Sequence, residues 1–362
     1  MKRLGLAACG LCVGAALWGE SAEPALFPSG RLDVLAALVS SDRDAAALYA
    51  PLKRTADRAL SETPRPIVKL QSEGKLDKDP VKIATGISLA DMNKLYALAV
   101  VYRLSHDERY LEKTKEFLLD WARVNRATGD PIDETSLEPA VRAYDLIRAS
   151  CSADETIAVD GWLNAVADAE IASRHPKSDT SFNNWNSHRL KIVGLIGLVL
   201  GNAGDWDYAR SGYREQVERD LYPDGRSWDL EERDALHYHC YTLEPLLALV
   251  IAAAVHGEDW FSYVSPSGST LRLAVEYLLP YASGEKEHPE FAHSKVRFDQ
   301  ERAAAGQRDY QPGHPFQVHE ALRALGLYSY FDPSVIPLAG RIAGNSPPYP
   351  TWDVLVMAVL RS

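Results

Sequence analysis

Residues 181–190, SFNNWNSHRL, place three asparagines, a tryptophan and a histidine directly before a long apolar run. Asparagine is a poor helix former because its amide competes with the backbone for hydrogen bonds. If the helix already includes Asn184, then Asn184 and His188 lie on one face, four residues apart. Both side chains are donors suited to an anionic group. The alternative is that these asparagines, Thr180 or Ser181 cap the helix and that His188 is a core histidine.

A second group of polar and aromatic side chains lies in residues 222–246, YPDGRSWDLEERDALHYHCYTLEPL. If this segment is one helix, Arg233, His237 and Tyr241 share a face at i, i+4 and i+8. On a helix His237 and His239 point roughly 200° apart, and no HExxH motif accompanies them, so a metal site is not indicated. The alternative is aromatic packing in a helical core, and the segment alone leaves both interpretations open.

The elements that must position these groups are helices. Apolar residues recur at helical spacing, for example after the capping-box-like SLAD that begins at Ser88. Convincing alternating strands are absent. Later helices are predicted over 154–172, 187–200, 206–220, 242–256, 268–283, 316–327 and 351–361.

Short polar turns, such as 105–108 and 201–205, join these helices into antiparallel hairpins. The pattern predicts an all-α protein built as a bundle, a solenoid or an α/α toroid. A solenoid is disfavoured because no fixed sequence period stands out. No linker divides the chain, so residues 23–362 are predicted to form a single domain. The Pro-, Gly- and charge-rich stretch 284–316 is predicted to be a long loop, and such loops are often functional.

Residues 1–22 have the layout of a secretory signal, with a basic start and then an apolar stretch too short to span a bilayer comfortably. The protein is therefore predicted to be periplasmic or secreted, and a lipid anchor at Cys9 in LAAC is the second choice. Cys151 and Cys240 then remain and allow one disulfide. The net charge of −11 argues against a nucleic-acid or anionic-membrane partner. The protein is predicted to be a monomer.

Four stretches together resemble the alginate lyase-like polysaccharide lyases of the α/α-toroid class. They are NNWNSHRLKIVGLIG, PDGRSWDLEERDALHYHCYTLEPL, LADMNKLYALAVVYRLSHDERYLEKTKEFLLDWA and GDPIDETSLEPAVRAYDLI. The resemblance spans roughly residues 80–330 and is greatest to the branch of β-1,4-glucuronan lyases and polymannuronate lyases. It implies an incomplete α/α barrel that cleaves an anionic polysaccharide. Neither the resemblance nor the spacing of ligand-type residues implies a metal or another cofactor.

The resemblance also implies site residues. Those predicted to act in catalysis are Asn184, His188, Arg233 and Tyr241. Those predicted to bind substrate are Asn183, Trp185, Arg189, His237, Tyr238 and His239. Trp185 stands where the periplasmic alginate lyases have a histidine, so His188 is the candidate for that role. The spacing from Arg233 to Tyr241 is one residue longer than in those lyases, so Tyr238 remains an alternative proton carrier.

β-Elimination removes H5, which is α to the C6 carboxylate, and expels the C4 oxygen. Neutral or cationic donors must stabilise the dianion that forms, and a phenol near Arg and His can carry the proton. In glucuronate and mannuronate H5 and the leaving oxygen lie on the same side, so one tyrosine can serve as base and acid. The predicted substrate is a β-1,4-linked polyuronate, glucuronan first and polymannuronate second, cleaved to 4,5-unsaturated oligosaccharides.

Two rival functions remain at this point. An α/α-barrel glycoside hydrolase needs two carboxylates that flank the scissile bond, and Asp130, Asp133 and Glu138 are the candidates. The other rival is a non-catalytic periplasmic polysaccharide-binding protein.

Overall fold

The computed structural model describes residues 23–346 and 348–362. The predicted signal segment 1–22 and Cys9 lie outside the described residues. The α-helices of the first half are α1 Ser29–Ser41, α2 Arg43–Ala59, α3 Pro80–Ser105, α4 Glu108–Val124, α5 Pro131–Glu134, α6 Glu138–Ile147 and α7 Ala153–Ala172.

The second half continues the helical pattern. Its α-helices are α8 Asn184–Leu200, α9 Ala203–Asp220, α10 Trp228–Arg233, α11 Leu236–Val255, α12 Leu271–Ala282, α13 Arg297–Ala304, α14 Leu322–Tyr328, α15 Ile336–Ala343 and α16 Trp352–Arg361. Short 3-10 helices are Thr135–Leu137, Arg148–Ser150, Asp179–Ser181, Arg308–Tyr310, Val318–Ala321 and Pro333–Val335. The strands of the described residues, β1 Pro289–Glu290 and β2 His314–Pro315, form one antiparallel pair.

The helices form two concentric layers. Inner helices contact one another in the order α3, α6, α8, α11 and α14, and outer helices α4, α9, α12 and α15 cover them. Helix α16 contacts α14, α1 and α2, so the ring of contacts returns to the N-terminal helices. Helix α8 has 15 of its 17 residues buried, as an inner helix must. This arrangement is the predicted all-α toroid of antiparallel hairpins.

Two glycines, Gly194 and Gly197, let α8 pack closely against its neighbours. A Cβ atom at Gly194 would lie 2.7 Å from a methyl carbon of Leu249 on α11. A Cβ atom at Gly197 would lie 2.9 Å from the backbone nitrogen of Trp206 on α9. Larger side chains at either position would push these helices apart.

The first half of the chain corrects one predicted helix start. Helix α3 begins at Pro80, where the Asp79 side chain caps it and the proline fits the first turn. Ser88, which was predicted to begin this helix, lies inside it and is buried. The SLAD sequence has the residue types of a capping box, but it lies within the helix and not at its start.

The single helix predicted across Arg233 to Tyr241 is two helices. Asp234 adopts a left-handed backbone with φ of 49°, which Asp tolerates better than most residues, and this ends α10. Helix α11 then starts at Leu236, so Arg233 and His237 lie on different helices. His237 and Tyr241 keep their four-residue spacing on α11.

Helix α11 has the length and apolar composition of a membrane span, but 78% of its most apolar window is buried inside the fold, as in a core helix. Pro245 lies within it, and a proline at this position deprives the Tyr241 carbonyl of its helical N–H partner. Cys240, which is buried in α11, and Cys151 are free thiols. The disulfide that the sequence allowed is therefore not formed in this structure.

Candidate active site

A cavity of about 230 Å³ lies where α8 and α11 begin, and we call it the tyrosine cavity. Six of the predicted residues line it: Asn184, Trp185, Arg233, His237, Tyr238 and Tyr241. Six residues that were not predicted also line it: Ser72, Glu73, Lys82, Ile132, Arg302 and Tyr310. Four predicted residues are absent from its lining: Asn183, His188, Arg189 and His239.

The asparagines at the start of α8 have different roles. The side-chain oxygen of Asn183 accepts the backbone N–H of Trp185 at 3.0 Å, so Asn183 is the helix cap, in place of Thr180 or Ser181. Asn183 does not line the tyrosine cavity, so its predicted contact with substrate stays a prediction. Asn184 lies in the first turn and borders the cavity.

Asp229 fixes the orientation of Asn184. Its fully buried carboxylate accepts the Asn184 backbone N–H at 2.7 Å, the Asn184 side-chain amide, and the Thr242 hydroxyl at 2.9 Å. Burial raises the pKa of Asp229 to about 6. These bonds join the start of α8 to α11. A primary amide has two N–H groups, so the second N–H of Asn184 remains available to a ligand in the cavity.

His188 lies beneath the cavity. It is 4% exposed, its Nδ1 is 2.9 Å from the Thr135 hydroxyl, and its ring packs on Tyr241 with centroids 4.2 Å apart. Burial and the charge of Lys191 hold the pKa of His188 well below its usual range, so the ring is neutral. Nε2 of His188 has no hydrogen-bond partner within the described part of the chain, and the Tyr241 carbonyl opposes the lowering of the His188 pKa only weakly. The predicted direct contact with substrate is corrected: His188 supports Tyr241 from below.

Two arginines surround Tyr238. Nη1 of Arg302 donates to the Tyr238 hydroxyl at 2.8 Å, and the Arg233 guanidinium lies 3.7 Å from the Tyr238 ring centroid. Asp299 accepts from Arg233 at 2.8 Å and lies 3.7 Å from Arg302. Burial raises the pKa of the Tyr238 phenol, and the two guanidinium charges oppose that rise. Both cations stabilise the phenolate relative to the neutral phenol.

Tyr241 has a different electrostatic environment. It is half-buried, and burial together with the acidic neighbours Glu73 and Glu244 raises the pKa of its phenol. Its hydroxyl has no hydrogen-bond partner among residues 23–346 and 348–362. Negative neighbours disfavour a phenolate, so Tyr241 suits hydrogen-bond donation better than proton removal.

His237 is the imidazole that borders the cavity. Its Nδ1 is 2.7 Å from a carboxylate oxygen of Glu320, and its backbone N–H donates to Glu290 at 3.0 Å. Its ring is nearly parallel to that of Tyr241, with centroids 6.4 Å apart. Trp185, at the sequence position where the resembling lyases have histidine, also borders the cavity. The cavity therefore has an imidazole, although it comes from α11 and not from α8.

Arg189 and His239 face away from the cavity, and their predicted contact with substrate is corrected. Arg189 is buried and donates to the backbone oxygens of Glu170 and Thr180. His239 is fully buried, with Nε2 2.9 Å from the Ala274 carbonyl oxygen, and burial lowers its pKa to about 4. Their polar atoms serve the fold.

The carboxylates of the hydrolase alternative are also occupied. Asp130 caps α5, Asp133 accepts the Ser72 backbone N–H at 2.7 Å, and Glu138 pairs with Lys191 at 2.6 Å. None of these three carboxylates lines the tyrosine cavity. Within the described part of the chain, no three His, Cys, Asp or Glu side chains are grouped to hold a metal ion.

Arg302 and Tyr310 come from the stretch 284–316. The sequence predicted this stretch to be a long loop of the kind that is often functional, but it did not single out these two residues. That stretch contains α13 and the strand pair, and it brings Arg302 to Tyr238 across 64 residues of sequence. Glu73 comes from the segment that leads into α3, and Lys82 comes from the first turn of α3. No local pattern marks these residues, because their role depends on tertiary contacts. Charge within a long loop was the available signal.

Comparison with known proteins identifies the family. Residues 40–288, more than half of the chain, match the family model described as alginate lyase. The chain therefore belongs to the alginate lyase family. Among curated proteins it is 26% identical over 155 residues to a polysaccharide lyase of Stenotrophomonas maltophilia, covering 42% of this chain and 45% of that protein.

A second curated relative is an exo-oligoalginate lyase of Saccharophagus degradans, 20% identical over 201 residues, covering 49% of this chain and 25% of the relative. The matches thus span less than half the length of both relatives. An alginate lyase structure from Bacteroides ovatus has a TM-score of 0.68 at 18% identity, covering 93% of this chain and 99% of that one. Alginate lyase A1-III from Sphingomonas species A1 gives 0.60 at 17%, covering 85% and 90%. These likenesses confirm the toroid fold.

Proposed function

We propose that the protein cleaves a β-1,4-linked polyuronate by β-elimination in the tyrosine cavity. One observation carries the proposal: the Tyr238 hydroxyl accepts a hydrogen bond from Arg302 while the Arg233 guanidinium stacks on the Tyr238 ring, in a cavity that an oriented asparagine also borders. This set supplies the proton carrier and the donors that elimination beside a carboxylate requires. A hydrolase would need a carboxylate pair, and a binding protein would have no use for a buried phenol tuned by two cations.

Charge stabilisation is the first task of the site. Removing H5 converts the substrate carboxylate into a dianion, so preorganised donors lower the barrier most when their interaction grows with that charge. The free N–H of Asn184 and the guanidinium groups of Arg233 and Arg302 border the cavity and supply such donors. Asp229 and Asp299 hold two of these donors in place before substrate arrives.

Proton transfer is the second task, and we assign it to Tyr238. The Tyr238 oxygen takes H5, the C4–O4 bond breaks as the C4=C5 bond forms, and the proton then passes to O4. The cations around Tyr238 support its phenolate, whereas the acidic neighbours of Tyr241 oppose one. The sequence favoured Tyr241 as proton carrier and left Tyr238 as the alternative; we propose the alternative. Tyr241 and His237 then donate hydrogen bonds to the bound sugar.

The geometry of elimination constrains the substrate. One tyrosine can perform both transfers when H5 and O4 lie on the same side, as in mannuronate and glucuronate. The relatives are alginate lyases, and a variant of alginate lyase A1-III has been crystallised with a tetrasaccharide (TM-score 0.56, 18% identity, 73% of this chain and 79% of that one). These names support polymannuronate as the first substrate to test, with glucuronan second. The partner is an anionic polysaccharide, and we propose a monomer that acts in the periplasm or outside the cell.

A panel of polymannuronate, polyglucuronate and polyguluronate, followed by the ultraviolet absorbance of the new double bond, tests the substrate. We expect the protein to cleave polymannuronate, polyglucuronate or both. We expect it not to prefer polyguluronate. Tyr238→Phe and Tyr241→Phe, assayed on the best polymer, test the assignment. Tyr238→Phe should lower kcat by at least about 10²–10⁴-fold, the usual worth of general acid–base catalysis. A dead Tyr241→Phe beside an active Tyr238→Phe would restore the original assignment.

A further inference from the structure

Helix α11 begins without a cap from its own segment. The residue before it, Ala235, has no side chain that could accept a hydrogen bond. The backbone N–H groups of Tyr238 and His239 bond to the Ala235 carbonyl at 3.1 and 3.4 Å, which leaves those of Leu236 and His237 without a helical acceptor. Ala235 and Leu236 are fully buried, so water does not replace that acceptor easily. The start of this helix therefore needs an acceptor from elsewhere in the fold.

Glu290 of β1 supplies that acceptor. One of its carboxylate oxygens accepts the Leu236 N–H at 2.8 Å, and the other accepts the His237 N–H at 3.0 Å. The side chain is 1% exposed, and the Glu290 carbonyl accepts the Gly313 N–H at 2.7 Å. A negative charge at the first turn of a helix interacts favourably with the helix dipole. An acid 54 residues from Leu236 in sequence thus caps α11 in place of a local side chain.

The same stretch is bonded to the turn before α11. The Phe291 N–H donates to the Asp234 carbonyl at 2.6 Å, and the His293 N–H donates to the Asp234 carboxylate at 2.8 Å. Asp234 is the left-handed residue at the break between α10 and α11. The stretch therefore holds the end of α10, which carries Arg233, together with the start of α11.

The start of α11 determines where three residues of the tyrosine cavity lie: His237, Tyr238 and Tyr241. Glu290 does not line this cavity, so it can affect the reaction only through α11. In the proposed mechanism the Tyr238 oxygen must face H5 while it accepts from Arg302. Fraying of the first turn would move that oxygen away from both.

We propose that Glu290 is a positioning residue for the elimination, because its ionised carboxylate holds the first turn of α11 and so keeps Tyr238 in its reactive orientation. This inference rests on the proposed function and adds to it a residue outside the cavity. A carboxylate has two acceptor oxygens, whereas a protonated carboxyl group or a glutamine amide has one acceptor and one donor. The first turn is therefore held completely only while Glu290 is ionised.

The surroundings of Glu290 set its protonation. Burial and the charge of Glu320 raise the pKa of Glu290 to about 7, and the two backbone N–H groups of α11 oppose that rise. The titratable side chains around it come from α11, the turn before it, the strand pair and the segment before α14, and they are His237, Cys240, Asp234, His288, His314 and Glu320. Nε2 of His288 lies 3.7 Å from a Glu290 oxygen.

Ionisation of Glu290 reduces the stability of the fold. Its pKa is higher in the folded chain than in the unfolded one, so the stability that the neutral form contributes is lost as the pH rises through about 7. A purely structural glutamate would stabilise the fold in its charged form. Groups at functional sites often have such perturbed pKa values, and this sign separates a positioning role from a structural one.

The test uses initial rates of absorbance increase on the best polyuronate. Glu290→Gln removes one acceptor and the charge, so it should lower kcat about ten-fold at about pH 8, the worth of about one hydrogen bond to a charged group, with a smaller change in KM. At about pH 5 Glu290 is protonated in the unaltered protein, so the two proteins should have the same kcat. Glu290→Ala removes both acceptors and should lower kcat further at both pH values.

The matched control is Glu287→Gln, which makes the same chemical change at an exposed position of the same segment. It should behave as the unaltered protein at both pH values. Thermal unfolding provides the second control. Glu290→Gln should have an equal or higher Tm at about pH 8, because it lacks the buried charge. A lower Tm together with lost activity would overturn the proposal in favour of a structural role.

Hydrogen–deuterium exchange of the backbone of residues 235–241, without substrate, tests the cap independently of activity. Exchange should be faster in Glu290→Gln than in the unaltered protein at about pH 8 and equal in the two at about pH 5. Equal exchange at both pH values, an unchanged kcat at about pH 8, or the same loss of kcat at both pH values would overturn the proposal. If the unaltered protein cleaves none of the polyuronates, the proposed function fails and Glu290 positions no elimination, whereas the exchange result still shows whether Glu290 caps α11.

Discussion

Replacement of Arg302 by methionine tests how the site makes a phenol basic. The Arg302 guanidinium donates to the Tyr238 hydroxyl at 2.8 Å and is 6% exposed, so water does not replace it easily. Hydrogen bonds to charged groups are worth about 1.5–3 kcal/mol, which corresponds to roughly one to two units in the pKa of the Tyr238 phenol. In the proposed mechanism the base is the Tyr238 phenolate, so weaker stabilisation of that phenolate should move the ascending limb of the pH–rate profile to higher pH.

Arg302→Met should therefore lower kcat/KM about 10- to 100-fold on that limb, with partial recovery as the pH rises. Asp299 keeps Arg233 at 2.8 Å and the Ser294 hydroxyl at 2.7 Å, so folding should persist. Arg297→Met is the control, because Arg297 lies on the same helix, is exposed, and pairs with Glu301 alone among the described residues. The assay is the initial rate of absorbance increase across pH. A uniform loss at every pH, with the limb unmoved, would refute the tuning of Tyr238 and leave Arg302 a binding residue.

Other perturbations give separate tests. In Asp229→Asn, one of the two oxygens that accept hydrogen bonds from Asn184 becomes an NH₂ group, so Asn184 is held less well and kcat should fall by about ten-fold with a smaller change in KM. An unchanged kcat would show that Asn184 does not need Asp229 to hold it. Burial and Glu134 raise the pKa of Glu170 to about 9, so its contribution to stability is full below the unfolded pKa and is lost as pH rises towards 9. Glu170→Gln should thus stabilise the protein more at about pH 8 than at about pH 5, on the order of 3 kcal/mol, and equal Tm shifts at both pH values would contradict this. The sequence has no metal-ligand spacing, so activity should survive treatment with EDTA. If EDTA abolishes activity and one divalent ion restores it, a metal site that includes His237 would have to be considered again.

The fold was largely predictable because its signals are local. Apolar residues at helical spacing located the helices. The break at Asp234 was not predictable, because a left-handed aspartate has no strong sequence signal and the flanking residues are good helix formers. Capping was ambiguous for a related reason: several Ser, Thr and Asn residues precede α8, and tertiary contacts select Asn183.

The site was predictable in its residue types and less so in their geometry. The helix predicted over 187–200 begins three residues earlier, at Asn184, so the condition under which Asn184 and His188 share a face is met. Spacing alone cannot tell which of the two reaches solvent. In the structure Tyr241 covers His188. Arg302 was missed because its partner, Tyr238, is 64 residues away in sequence. Our choice of Tyr238 over Tyr241 as proton carrier depends on the charged side chains around each tyrosine. These side chains come from four separate segments of the chain.

The most direct test of β-elimination is the mass of the products released from polymannuronate or polyglucuronate, measured together with their ultraviolet absorbance. Elimination adds no water, so the masses of the fragments should sum to the mass of the parent chain, and each cleavage should create one absorbing double bond. Tyr238→Phe should abolish both signals at an unchanged Tm. Fragments that have gained one water per cleavage and show no absorbance would contradict the account and identify a hydrolase.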